Sequence, residues 1–139
     1  MPFNIITTEG VLRDETLAAI HKAVTDCFLK LHGLTGNAFL ERHVIGEITT
    51  VPAGRSFAGG QPANLVIVET HVPGFALATP PQKEAYVREV TEVIAKAAEG
   101  RVARDRIYVN MLYAVDGLWG IAGRTYTNEE LGEAIRTAH

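Results

Sequence analysis

Cysteine is nearly absent from this chain: Cys27 is the only one among 139 residues. A single thiol forms no internal disulfide and is too few for a cysteine-based zinc site. No apolar run approaches the ~20 residues that a membrane-spanning helix needs. The segment from Met1 to Gly10 carries neither the basic stretch nor the apolar stretch of a signal peptide. Basic residues gather nowhere beyond Arg101, Arg104 and Arg106, and the net charge is −3, which argues against nucleic acid as a partner. The metalloprotease H-E-x-x-H, the nucleophile elbow G-x-S-x-G, the P-loop and the dinucleotide G-x-G-x-x-G are all missing. Five histidines, His21, His32, His43, His71 and His139, show no ligand spacing, so no metal or other cofactor is expected. The pair Gly59-Gly60 opens no helix and is a weak phosphate signal. What is left by default is a cytoplasmic, soluble protein of one domain.

The composition, 47% hydrophobic and 21% charged, is that of a folded domain, and residues 1–139 fit one such domain. Residues 2–8 are short, β-branched and closed by Glu9-Gly10, which predicts a strand with proline at its first position. Leu17, Ile20, Val24, Cys27 or Phe28, and Leu31 repeat at helical spacing, so a helix is expected from Asp14, its N-cap, to a stop at Gly33. Cys27 falls on that stripe and reads as a small core residue rather than a nucleophile.

Residues 39–51 read as a strand broken at Gly46, and Pro52 to Pro62 as a loop. The run Leu65-Val66-Ile67-Val68 within 64–70 predicts a strand covered on both faces. Thr79-Pro80-Pro81-Gln82 has the form of a capping box. The helix it opens should bury Val87, Val90, Ile94 and Ala97 or Ala98 and end at Gly100. Ile107 to Leu112 predicts a further strand, and Thr127-Asn128-Glu129-Glu130 starts a short helix over 128–137.

The order is β-α-β followed by β-α-β, with parallel pairing inside each half. Fold class is therefore α+β: one four-stranded sheet with two helices on one face. The uncovered sheet face is expected to be apolar and buried against other copies of the chain.

Chemistry concentrates at the start. Met1 precedes the small residue Pro2, and a methionine in that setting is normally removed. Removal leaves a secondary amine. An α-amino group titrates near ~8, and burial lowers that value further because the cation loses solvation. Such an amine is a neutral base near physiological pH.

The strand Pro2-Phe3-Asn4-Ile5 together with the two β-α-β units resembles the tautomerase superfamily, whose catalytic base is an amino-terminal proline. Arg106-Ile107-Tyr108-Val109-Asn110, with Trp119 downstream, is similar to the macrophage migration inhibitory factor branch, which tautomerises phenylpyruvate and dopachrome. Five further segments resemble cis-3-chloroacrylic acid dehalogenase: Lys22-Ala23-Val24-Thr25-Asp26, Gly33-Leu34-Thr35-Gly36, Pro52-Ala53-Gly54, Phe57-Ala58-Gly59-Gly60 and Gly123-Arg124. Together these stretches span most of residues 2–126. The resemblance implies a homotrimer and a cofactor-independent isomerase.

The departures are as specific as the matches. Where the dehalogenase branch has two arginines that grip a carboxylate, this chain has Thr70-His71-Val72-Pro73-Gly74-Phe75. Its water-activating glutamate falls near Ile121, its tyrosine on Asn110 and its helical histidine on Phe28 or Leu29. The substrate-binding lysine of the other branch has no counterpart; Asn37 stands near that point, and Val72 takes the place of an apolar wall residue. The resemblance thus implies keto-enol tautomerisation of a small carboxylate. Pro2 is the base, Tyr108 and Asn110 orient the carbonyl, Arg124 grips the anion, and His71 lines the pocket. Arg42 and Arg55 are the next cations in line. The alternatives are a hydratase, dehalogenase or decarboxylase using the same proline, and a non-catalytic trimeric binding protein.

Overall fold

In the computed structural model, which describes residues 1–138, the chain forms eight strands and four α-helices. Strand β1 (Phe3–Thr8) enters the middle of the sheet, and helix α1 (Leu17–Leu31) leads back over it. A short α2 (Ala38–His43) precedes β2 (Ile48–Val51), which pairs parallel to β1. A two-residue-per-strand hairpin, β3 (Phe57–Ala58) and β4 (Gln61–Pro62), then leads to β5 (Val66–Pro73). The second half repeats the order with α3 (Pro80–Ala98) and β6 (Ile107–Ala114). A second hairpin, β7 (Trp119–Ile121) and β8 (Arg124–Tyr126), and α4 (Asn128–Thr137) finish the chain. The sheet order is β2-β1-β5-β6, with β1 and β5 antiparallel and each β-α-β half parallel, so the α+β architecture is the expected one.

Period-two alternation sets the two sheet faces. Phe3 and Ile5 on β1 and Val66, Val68, Thr70 and Val72 on β5 are fully buried against α1 and α3. The α1 stripe is Ile20, Val24 and Phe28, with Cys27 half-buried beside it. Burial and the neighbouring Glu89 and Asp26 carboxylates raise the Cys27 thiol's pKa, which keeps it a neutral packing group. In α3 the innermost position belongs to Tyr86, not Val87, which is half-buried; Tyr86, Val90, Ile94 and Ala98 form the buried row. The Tyr86 hydroxyl meets that of Thr70 at 2.6 Å, which gives a buried polar atom its partner.

Several expectations need correction. Residues 39–51 are not one broken strand. Asn37 caps a helix with its side chain, accepting from the Leu40 amide at 3.0 Å, and Leu40 is buried, so the chain is helical to His43; the backbone is extended at Val44, Ile45 bridges Pro2, and the strand itself begins at Ile48. Asp14 is not the N-cap of α1: residues 14–16 form a 3₁₀ turn, and the α-helix starts at Leu17 after Thr16. The third expected strand runs 66–73 rather than 64–70. Gly59 and Gly60, with φ of +57° and +76°, are the two-residue turn of the β3–β4 hairpin, which is the job that pair performs. Both capping boxes and the Gly33 and Gly100 stops are present as expected.

The uncovered face is mixed rather than apolar. Strand register places Ile6, Ile67 and Tyr108 in one row and Asn4, Glu69 and Asn110 in the next. His71 stands beside Leu112 in the row beyond.

Candidate active site

The first residues of the chain lie between two hollows. The Met1 side chain is only 7% exposed and lines a cavity of about 290 Å³ under the helical layer. Phe28 and His32 of α1, Leu40 of α2, Phe75 after β5, and Ile135 and Arg136 of α4 share that cavity. The Met1 amine donates to the His43 carbonyl at 2.7 Å, and the Met1 carbonyl accepts from Ile45 N–H at 3.1 Å. Burial pushes this amine from 8.0 to about 6. Pro2 is half-buried, accepts from the His71 amide at 3.0 Å, and lines a second hollow of about 300 Å³ at the sheet surface with Asn4, Ile45, Gly46 and Glu47. While Met1 is attached, the Pro2 nitrogen is an amide without basicity; its release puts a secondary amine between these hollows.

The cavity rim is held by hydrogen bonds at a strained residue. Leu77 has φ of +48°, a left-handed conformation that costs a non-glycine residue on the order of 1 kcal/mol. Its N–H donates to His32 Nε2 at 3.3 Å, and the Tyr113 hydroxyl donates to the carbonyls of Ala76 and Leu77 at 3.0 and 2.9 Å. His32 therefore acts as a neutral acceptor, with its proton on Nδ1. Its pKa is lowered by burial, so the native state binds fewer protons than the unfolded state just below pH ~6.5, and stability falls as pH drops through that range. The Met1 amine, where present, works in the same direction between 8.0 and about 6. Denaturant midpoints should decline from pH 8 to pH 5, and His32→Gln should flatten the part below pH ~6.5. Parallel curves for both proteins would show that His32 is not held neutral.

Of the residues singled out in the sequence, Pro2 and His71 are adjacent through the His71–Pro2 hydrogen bond. Asn110 and Tyr108 share the uncovered face, and both are exposed. Asn110 is two strands from Asn4, so strand spacing puts its Cα about 12 Å from that of Pro2, and Tyr108 farther away. Arg124 lies on β8, paired with Glu130 at 3.0 Å and stacked 4.3 Å over the Tyr126 ring; it does not line the Met1 cavity but borders a neighbouring hollow that shares Arg136 with it. Within one protomer these three side chains do not meet Pro2. Asn37 is structural: besides capping α2 it donates to the Ile135 carbonyl at 2.8 Å and ties down α4. Trp119 is half-buried against the core. Arg42 and Arg55 are exposed and absent from the cavity lining. His139 lies outside the described residues.

Sequence reasoning missed His32 and Arg136, the two nitrogen-bearing side chains on the cavity wall. Their signal is positional only: His32 ends α1 four residues after Phe28, and Arg136 follows Ile135 on the amphipathic α4. Among the described residues, no group of three His, Cys, Asp or Glu side chains converges to hold a metal ion. No described helix is long and apolar enough to cross a membrane.

No family model and no curated protein matches this sequence. Solved structures do. A member of the cis-3-chloroacrylic acid dehalogenase family superimposes with a TM-score of 0.74 at 16% identity, over 96% of this chain and 90% of that one. A fused 4-OT, solved as a symmetric trimer, gives 0.74 at 15% identity over 95% and 99%. The macrophage migration inhibitory factor of Toxoplasma gondii gives 0.68 at 13% identity over 91% and 100%. The chain has the fold of the tautomerase superfamily, over nearly the whole length of each of these structures.

Proposed function

We propose that the protein is a homotrimeric keto-enol tautomerase of the tautomerase superfamily, with the free amine of Pro2 as general base. The observation that carries this reading is the enclosed start of β1, where Met1 borders an apolar cavity, its amine loses proton affinity through desolvation, and Pro2 follows half-buried, so an amine released at Pro2 would sit where the cation is disfavoured. Pro2 takes a proton from the carbon next to a carbonyl, or from an enol hydroxyl, and returns it at the other site. The likeness to structures of the same fold, one of them a trimer, supports the assembly.

Assembly also has a chemical purpose in this reading. Tyr108, Asn110 and Arg124 stand exposed on the protomer and do not meet its own Pro2, so this reading requires them to reach the base of another copy across an interface, where Asn110 and Tyr108 would orient the carbonyl. His71 fixes Pro2 through its backbone. Hydration or dehalogenation by the same proline needs a carboxylate to activate water; the Met1 cavity lining contains none, and Glu47 borders the hollow at Pro2.

The test combines three measurements on one preparation. Intact mass is expected to show loss of Met1, light scattering a trimer, and ultraviolet absorbance the ketonisation of phenylenolpyruvate. A monodisperse monomer at micromolar concentration overturns the assembly. Processed protein inert toward every enol acid tried leaves the non-catalytic binding protein in its place.

A further inference from the structure

We propose that Arg136 is the cation that receives the substrate carboxylate, and that the cavity selects enol acids with one carboxylate on an apolar body. This rests on the tautomerase reading of the same cavity and adds what that reading lacks, a positive group in the protomer that holds the base.

Among the described residues lining the hollow, Arg136 is the only arginine or lysine. Its side chain is 69% exposed and its guanidinium reaches Glu133, one turn earlier on the solvent side of α4. It thus stands at the mouth, where an arriving carboxylate competes with Glu133 for a two-pronged donor. The α4 turn that carries it is fixed from both sides. Ile135 is buried, and its carbonyl accepts from Asn37.

His32 supplies no second charge, since its Nε2 already accepts from the Leu77 amide and burial favours the neutral ring. The remaining wall is apolar, formed largely by Phe28, Leu34, Leu40 and Phe75. A volume of about 290 Å³ is small for a ligand site and suits one ring or short chain. A second carboxylate lodged inside would be buried without a partner, at high cost.

Calorimetric titration of the protein as purified tests this without relying on turnover. The probes are 3-phenylpropanoate, its amide and the dicarboxylate glutarate. The wild type should prefer the monoacid over both others by about tenfold, equivalent to about 1.4 kcal/mol. Arg136→Gln should abolish the preference for acid over amide and leave amide binding unchanged, with circular dichroism confirming the fold. Glu133→Gln should tighten acid binding two- to threefold, and have no effect when Arg136→Gln is already present. Arg88→Gln, on the exposed side of α3, controls for general charge loss and should change nothing.

No preference in the wild type, or one that survives Arg136→Gln, overturns the assignment. If the preference is lost in Arg124→Ala instead, the grip returns to Arg124. An Arg136-dependent preference without Pro2-dependent ketonisation keeps the carboxylate site and removes the tautomerase. Ketonisation with KM unchanged by Arg136→Gln does the reverse.

Discussion

Pro2→Ala is expected to lower the rate of phenylenolpyruvate ketonisation at least ~10²-fold, the scale of losing a positioned general base. Alanine at the second position also permits methionine removal, so the variant still presents an amine. What it loses is position. The pyrrolidine ring fixes φ near −65° and carries its nitrogen rigidly, whereas an alanine amine rotates freely about its bond to Cα. A second form of the protein, with Met1 retained, should be equally impaired for a different reason, because its Pro2 nitrogen is an amide. The pH profile separates base from bystander. Desolvation at this end of β1 pushes the Met1 amine to about 6, and partial burial at Pro2 would lower the processed amine in the same direction. Activity in kcat/KM should therefore rise with pH along a limb well below the ~8 of a free α-amine and level off by neutrality. Equal rates for wild type and Pro2→Ala would take Pro2 out of the mechanism.

The parts of the fold that were legible in the sequence are those with a local cause. Thr79 and Thr127 announce their helices because a capping box is made of residues three apart. Gly33 and Gly100 announce stops because each adopts a positive φ after a helix. Two β-α-β units in sequence imply the parallel neighbours β1–β2 and β5–β6, while the antiparallel β1–β5 join at the centre of the sheet is not encoded in either half. The failures have non-local causes. Residues 39–43 head a stretch whose β-branched residues lie from Val44 onward and read as one strand with it, yet Asn37 and the burial of Leu40 make them helical. The β7–β8 hairpin is too short for period two to register, and its two-residue turn sets Ala122 at φ of +53° before Gly123 at +79°, so the glycine alone signals it.

The candidate site divides along the same line. Pro2 is visible because its chemistry depends on chain position alone. His32 and Arg136 are not, since they meet across 104 residues of chain through the packing of α1 and α4 around a cavity that no spacing encodes. Arg124 sits in the expected Gly-Arg context, but its side chain is engaged by Glu130 and Tyr126 in its own protomer.

Gly46→Ala should be the most destabilising single-methyl substitution available near the site. The chain crosses the start of β1 at this residue: Phe3 N–H donates to the Ile45 carbonyl at 2.7 Å, and Ile5 N–H to that of Glu47 at 2.9 Å. A methyl group on Gly46 would stand 1.8 Å from the Phe3 carbonyl oxygen, 2.7 Å from the Phe3 carbonyl carbon and 2.6 Å from His21 Nε2. The imidazole can turn away, although it would give up its 2.8 Å hydrogen bond to that same Phe3 oxygen. The backbone cannot, because Phe3 is fully buried and β1 is paired on both edges. Relief requires pulling the crossing segment off β1, which breaks the two hydrogen bonds that hold the strand start in place. Overpacking against backbone together with those losses costs on the order of 3–5 kcal/mol, at the upper end for single substitutions. In a domain with roughly 5–15 kcal/mol of total stability, this lowers Tm by about 10–20 °C. Gly120→Ala is the matched control: its added methyl meets nothing within 4 Å and its φ is ordinary for an L-residue, so its melting curve should overlay that of the wild type. Because the crossing segment also lines the hollow at Pro2, any Gly46→Ala protein that remains folded at low temperature should lose ketonisation along with stability. A Gly46→Ala protein that melts and turns over like the wild type would mean that the segment does not lie across β1 as described.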